Sequence, residues 1–262
     1  MGVLAKVNTL RKGVLLYRGI RYRRGFGVHS PFVFNLISKV IDERNPYYSF
    51  ENIELVRLGF KFDETIIQYK DIISQKNKKT SIGNAIYKNT LSSKKGALLF
   101  RLANYFKAKN ILQIGSGMGI PTLYLTSYSS NINCLVLESE ESFSDVAKRV
   151  IKKGSNKDIE VMTGEYTATL QETLLKLKNI DIVYFDTHKD SDTSYKLFEQ
   201  CLKYTKANSI FIINGIKANK NSRELWKKIC DNDKVTVSID IYSMGIVVFN
   251  PKLHKKNYIV YF

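Results

Sequence analysis

Residues Asn110 to Gly119 read Asn-Ile-Leu-Gln-Ile-Gly-Ser-Gly-Met-Gly, and no other stretch constrains the fold of this chain as much. An apolar run (Ile111, Leu112, Ile114) feeds three glycines at alternate positions, Gly115, Gly117 and Gly119. Ile120-Pro121 then opens an apolar helix, with proline in the first turn, where a missing N–H is tolerated. Glycines so placed let the backbone turn sharply and let a ligand approach main-chain N–H groups. About twenty residues further on, the apolar run Cys134 to Leu137 ends at Glu138, a carboxylate suited to holding ribose hydroxyls. The pattern predicts a nucleoside-cofactor site on a doubly wound α/β sheet.

The rest of the chain supports that architecture. Strands are expected near 110–114, 133–137, 159–162, 182–185 and 210–213, alternating with helices near 120–129, 141–153, 168–178, 191–204 and 221–230. Such alternation builds a mostly parallel sheet with helices on both faces. Val235 to Ile241 and Gly245 to Phe249 read as an antiparallel hairpin closing the sheet, and Tyr258 to Phe262 as a further short strand. The first ninety-odd residues read as mostly helical. Ser30-Pro31 is a helix start, with Ser as cap and Pro first inside. That helix continues through Phe34, Ile37 and Val40 and ends by Asn45-Pro46, while the polar residues 74 to 82 read as a surface loop. A helix over about Lys95 to Ala108 leads into the first core strand. We therefore divide the chain into a helical N-terminal region, 1–94, and a core, 95–262.

Composition narrows the function classes. The three cysteines (Cys134, Cys201, Cys230) are widely spaced and form no paired motif, so neither a disulfide framework nor a zinc site is indicated. No apolar run reaches membrane-span length and no leader is evident, so a soluble cytoplasmic protein is expected. The net charge is +17, in a chain rich in Lys, Ile, Asn and Tyr, a combination that AT-rich coding produces with lysines solvated at the surface. One feature stands apart: no acidic residue precedes Asp42, while Lys6, Arg11, Lys12, Arg18, Arg21, Arg23, Arg24 and Lys39 do. Val3, Val7, Leu10 and Val14 share a helical stripe, so residues 3 to 16 form a basic amphipathic helix. Such a helix lies on an anionic membrane or RNA, or packs its stripe on the main domain.

The dinucleotide fingerprint requires G-x-G-x-x-G, but here the third glycine comes one residue early and Ile120 holds its place. The G-x-G-x-G spacing resembles motif I of the class I S-adenosylmethionine-dependent methyltransferases, and the order of elements from Lys95 to Phe249 follows that Rossmann-like fold. Gly25-Phe-Gly-Val-His29-Ser30-Pro31-Phe32-Val33-Phe34, the Gly96-Ala-Leu-Leu-Phe-Arg-Leu helix and Tyr124-Leu125 are similar to a Bacteroidetes-type group within that class. The resemblance implies that Gly115, Ser116, Gly117 and Gly119 wrap the methionine end of S-adenosylmethionine. It implies that Glu138, with Ser139 beside it, holds the ribose, and that Gly164 and Glu165 lie beside the adenine. His29 is read as part of a helix entry, with Ser30 capping and Phe32 and Phe34 packing.

Ligands in open α/β sheets bind outside the carboxyl ends of the strands, so Asp186, in Asp181-Ile-Val-Tyr-Phe-Asp186-Thr187-His188-Lys189-Asp190, faces the crevice. Asp186-x-x-Lys189 resembles the metal-dependent catechol and caffeoyl-coenzyme A O-methyltransferases, in which the Asp binds a divalent metal and the Lys helps deprotonate the acceptor. Those families carry Asp-Asn or Asp-Asp after the fifth strand, whereas this chain has Asn214-Gly215. One carboxylate and one amide suit a hard cation poorly, which argues against a divalent metal. His188 is then a second candidate base, and Lys189 needs burial to serve as one. Gln113 stands where such enzymes carry an acid, keeping the hydrogen-bonding shape without the charge. Three functions stay open: an O-methyltransferase acting on a small-molecule or envelope, lipid-like acceptor with the N-terminal region as lid; an RNA methyltransferase; and a catalytically degenerate binding protein on the same fold. A homodimer is also considered.

Overall fold

The computed structural model describes residues 3–22, 25, 27–70, 76–186 and 190–262, with side chains from residue 12 onward. Eight strands form one sheet: β3 (Asn110–Ile114), β4 (Asn133–Glu138), β5 (Glu160–Thr163), β6 (Ile180–Phe185), β7 (Thr205–Asn214), β8 (Val237–Asp240), β9 (Met244–Val248) and β10 (Lys256–Ile259). Their order across the sheet is β10-β8-β9-β7-β6-β3-β4-β5. β9 alone runs antiparallel, to β7 on one side and β8 on the other. The expected closing hairpin is therefore present, and the last strand adds parallel to β8. β3 pairs with β4 on one flank and β6 on the other, so the strand order reverses there and opens a crevice at their carboxyl ends.

Alternation along the strands sorts the core into two halves. Ile111, Val136, Ile182, Tyr184, Ile210 and Ile212 face one side, where α2 (Pro31–Leu36), α3 (Tyr48–Lys61), α4 (Ile82–Asn89), α5 (Ser93–Phe106), α6 (Ile120–Thr126) and α7 (Glu141–Gly154) cover them. Leu112, Ile114, Leu135, Leu137, Val183, Phe185 and Phe211 face the other, under α8 (Tyr166–Leu177), α9 (Ser191–Leu202) and α10 (Lys220–Asp231). Helices from before residue 94 thus share a hydrophobic cluster with the sheet.

Ser30 caps α2 as expected, its hydroxyl accepting from the Val33 N–H at 3.4 Å. The helix continues as a π-helical turn over Ile37–Ile41. α1 (Val3–Arg21) is longer than the stripe suggested. Among its described side chains it docks by charge: Arg18 is buried on Asp240, while Leu16 and Ile20 are 69% and 78% exposed.

Two expectations fail. Phe34 is 46% exposed, so α2 packs through Val33 and Leu36 instead. The N-terminal region carries an antiparallel ribbon, β1 (Ile66–Lys70) with β2 (Asn77–Ser81), so residues 77 to 81 are strand and not loop. Ile66, Ile67 and Tyr69 have the branched and aromatic side chains that strands favour, and the Lys-rich partner faces water, as exposed edges do. The Tyr69 ring sits 4.9 Å from Phe143, and the Lys70 N–H donates to Glu140 at 3.1 Å, which anchors the ribbon beside the end of β4.

Candidate active site

The glycine turn is built almost entirely from left-handed backbone. Gly115, Gly117, Met118 and Gly119 have φ of 89°, 50°, 54° and 81°. A Cβ on Gly117 would lie 2.7 Å from both Asp186 Oδ2 and Pro121 Cγ, so only glycine lets the turn and that carboxylate come so close. A Cβ on Gly119 would lie 2.8 Å from the Ala147 carbonyl oxygen, so this glycine serves the packing of the turn on α7. Asp186 is brought to the turn by its own N–H, which donates to the Ile114 carbonyl at 2.8 Å.

Gln113 is buried beneath the turn. Its Nε2 donates to the carbonyls of Gly115 and Ser116, both at 2.8 Å, and its Oε1 accepts from Thr122 at 2.8 Å. A carboxylate could not make the first two bonds. The missing acid is therefore an amide fitted to this turn, acting as a brace.

Glu138 is 5% exposed. Its Oε2 accepts from the Ser116 N–H at 2.9 Å and the Ser116 hydroxyl at 2.6 Å. Its Oε1 accepts from the Glu140 N–H at 3.0 Å and from the Tyr166 hydroxyl at 3.4 Å. The Tyr166 bond is the longest of the four, so a sugar hydroxyl would displace it most readily. Burial, with the Glu138 carboxylate second, pushes the Tyr166 phenol far up, which keeps it a donor. Ser139 also hydrogen-bonds Tyr166. Gly164, with φ of 145°, donates its N–H to the Glu138 carbonyl at 2.9 Å, and Glu165 is exposed at the N-cap of α8.

At the chemical end, the Asn214 amide Nδ2 donates to Asp186 Oδ1 at 2.7 Å, and Lys95 Nζ donates to Asn214 Oδ1 at 3.2 Å. Tyr184, two residues back on β6, is fully buried, and its phenol is pushed up by burial and then by the Asp186 carboxylate. His188 and Lys189, the two candidate bases, lie outside the described residues. Among the described residues no three His, Cys, Asp or Glu side chains gather as metal ligands.

A family model described as O-methyltransferase matches residues 63–253. The chain belongs to the O-methyltransferase family. Solved structures similar to this chain include the O-methyltransferase from Bacillus cereus in complex with SAH, at 19% identity and a TM-score of 0.54, covering 83% of this chain and 97% of that one. Another is an enzyme of Streptomyces achromogenes involved in tomaymycin synthesis, in complex with SAM, at 16% identity and a TM-score of 0.53, covering 78% and 91%. A SAH-bound methyltransferase from Podospora anserina gives 14% identity and a TM-score of 0.56, covering 84% and 96%. These establish the fold. In sequence the chain is 25% identical, over 163 residues and 59% of its length, to ribosomal RNA small subunit methyltransferase G of Clostridium perfringens, and it spans 66% of that relative.

Three parts of the site carry no sequence signal of their own: Tyr166, Thr122 and Lys95. Tyr166 latches Glu138, Thr122 holds Gln113, and Lys95 reaches Asn214 from 119 residues away. The Gly-Glu-Tyr run after β5 was the nearest hint of Tyr166. The Asp186–Asn214 pair does not fit a divalent cation. The amide turns its N–H toward the carboxylate and gives its oxygen to Lys95, so its oxygen and the carboxylate do not converge as a pair of ligands.

Proposed function

We propose that this chain is an S-adenosylmethionine-dependent O-methyltransferase acting on a hydroxyl of a small-molecule or envelope, lipid-like acceptor. When bound, the cofactor supplies an electrophilic sulfonium methyl. Gly115 to Gly119 cup its methionine end, Glu138 holds the ribose with Ser139 beside it, and Gly164 and Glu165 border the adenine. Asp186 closes the methyl-transfer end, where the enzyme must hold donor and acceptor in line. Residues 1–94 form a wall of the acceptor pocket.

The observation that carries this reading is the approach of Gly117 to Asp186 at the point where the strand order reverses, with Glu138 fixed to the same turn. Calorimetric titration with S-adenosylhomocysteine tests it: we expect saturable heat, and its absence at millimolar ligand removes the enzyme reading.

A second reading has its own support. The resemblance to a ribosomal RNA methyltransferase and the net charge of +17 favour a structured RNA as acceptor. Filter binding across a salt series separates the two, because phosphate contacts make RNA affinity fall steeply with salt. Affinity that is absent at low salt, or indifferent to salt, excludes RNA.

A further inference from the structure

The carboxyl ends of β6 and β7 hold a cation of the protein's own. α5 leads into β3 and lies along the sheet face, and its first turn reaches the crevice end of the strands, where Lys95 Nζ lies 3.2 Å from the oxygen of Asn214 at the end of β7. Asn214 in turn donates to Asp186 at 2.7 Å. The position of that first turn is tightly set. Gly96 is pressed on Tyr124 of α6, so that a Cβ there would meet the ring at 2.3 Å, and α6 itself begins at the glycine turn. Lys95 is thus tied both to the cofactor turn and to the strand-end amide.

The surroundings add positive charge. Lys94 is held below its ordinary value, first by burial and then by the cations of Arg44 and Arg101, with Asp42 opposing. Its ammonium also lies 4.2 Å from the centre of the Phe262 ring.

We infer that Lys95, seated on Asn214, takes the role a divalent cation plays in related enzymes: its ammonium holds the acceptor's nucleophilic oxygen as the anion. The inference rests on the S-adenosylmethionine-dependent reading and deepens it. The acceptor hydroxyl loses its proton to solvent on binding. Its oxygen lone pair then forms the bond to the methyl carbon, the C–S bonding pair returns to sulfur, and no base is needed at that step. Lys95 keeps its proton throughout. Asn214 is the positioning residue, and Asp186 fixes Asn214.

The probe is 4-nitrocatechol, whose anion is read by its visible absorption. Chelator-treated protein saturated with S-adenosylhomocysteine is titrated with the probe across pH. We expect bound probe to ionise at lower pH than free probe, by roughly tenfold in proton concentration. Lys95→Met should abolish the shift, Lys95→Arg should keep most of it, and added Mg2+ should change neither. A shift that survives in Lys95→Met, that appears only with Mg2+, or that is missing from the parent protein overturns the inference. S-adenosylhomocysteine affinity is measured on all three proteins. If the parent binds it and the probe result fails, only the role of Lys95 falls; if the parent does not bind it, the underlying reading falls first.

Discussion

Ser116 gives both its backbone N–H and its hydroxyl to one oxygen of Glu138, at 2.9 and 2.6 Å, and so couples the glycine turn to the end of the neighbouring strand. Hydrogen bonds to a buried charge are each worth about 1.5–3 kcal/mol. Ser116→Ala keeps the N–H bond and loses the hydroxyl one. We expect it to lower stability by about 2 kcal/mol in urea denaturation. Glu138→Gln should weaken S-adenosylhomocysteine binding more than Ser116→Ala does, because it removes the charge itself. Equal affinities for the two variants would contradict a direct role of Glu138 in holding the sugar.

Gln113→Glu tests the brace. The substitution restores the acid found in related turns, yet it places a carboxylate oxygen against two carbonyls now 2.8 Å from the amide nitrogen. We expect a loss of about 3 kcal/mol at pH 7. The penalty should shrink toward pH 5, because a protonated carboxyl can donate one of the two bonds. A variant as stable as the parent would mean that the turn does not need the amide donors.

Gly117 and Gly119 should fail differently. Gly119→Ala forces a Cβ against the backbone oxygen of Ala147 at a φ of 81°, and neither can move cheaply. It should cost about 2–3 kcal/mol of stability. Gly117→Ala drives its Cβ into the Asp186 carboxylate, which can rotate away, and onto the edge of the Pro121 ring, with no backbone atom in its path. Its main effect should be on S-adenosylhomocysteine affinity, by more than about tenfold, with a smaller change in the denaturation midpoint.

Asp240 sets an acid limit on the docking of α1. Burial alone would raise its carboxyl, but the Arg18 guanidinium, the Lys217 ammonium and the Tyr242 N–H outweigh that and hold it below the usual value. A carboxyl whose folded value is depressed contributes its full stabilisation above the unfolded value of about 4, and loses it as pH falls through the folded value. Asp240→Asn should therefore lower the melting temperature clearly at pH 7, where it strands the buried Arg18, at a cost of about 3 kcal/mol. Parent and variant should converge as the pH is taken below about 4. A constant gap across pH 3 to 7 would show that the pair contributes nothing through its charge.

What the sequence disclosed and what it hid divide along one line. The run from Ile111 to Gly119, Glu138 and the placement of Asp186 were legible because strand, turn and helix signals are local, and glycine spacing reports backbone shape directly. The β1–β2 ribbon was hidden because Asn77 to Ser81 is polar on both faces, and only pairing with Ile66 to Lys70 makes it a strand. Gln113 was read as a lost charge, since its partners are carbonyls that no sequence pattern displays. Lys95 was invisible as a site residue for the same reason: its partner stands at the end of a strand formed much later in the chain.

The clamp between Arg18 and Asp240 joins residues 222 positions apart. During synthesis the opening helix therefore emerges long before its anchor exists, and must stay unattached while the sheet assembles from β3 outward. Its seating reports that β8 and its turn are in place, so protection of this helix from proteolysis should be among the last signs of a completed molecule.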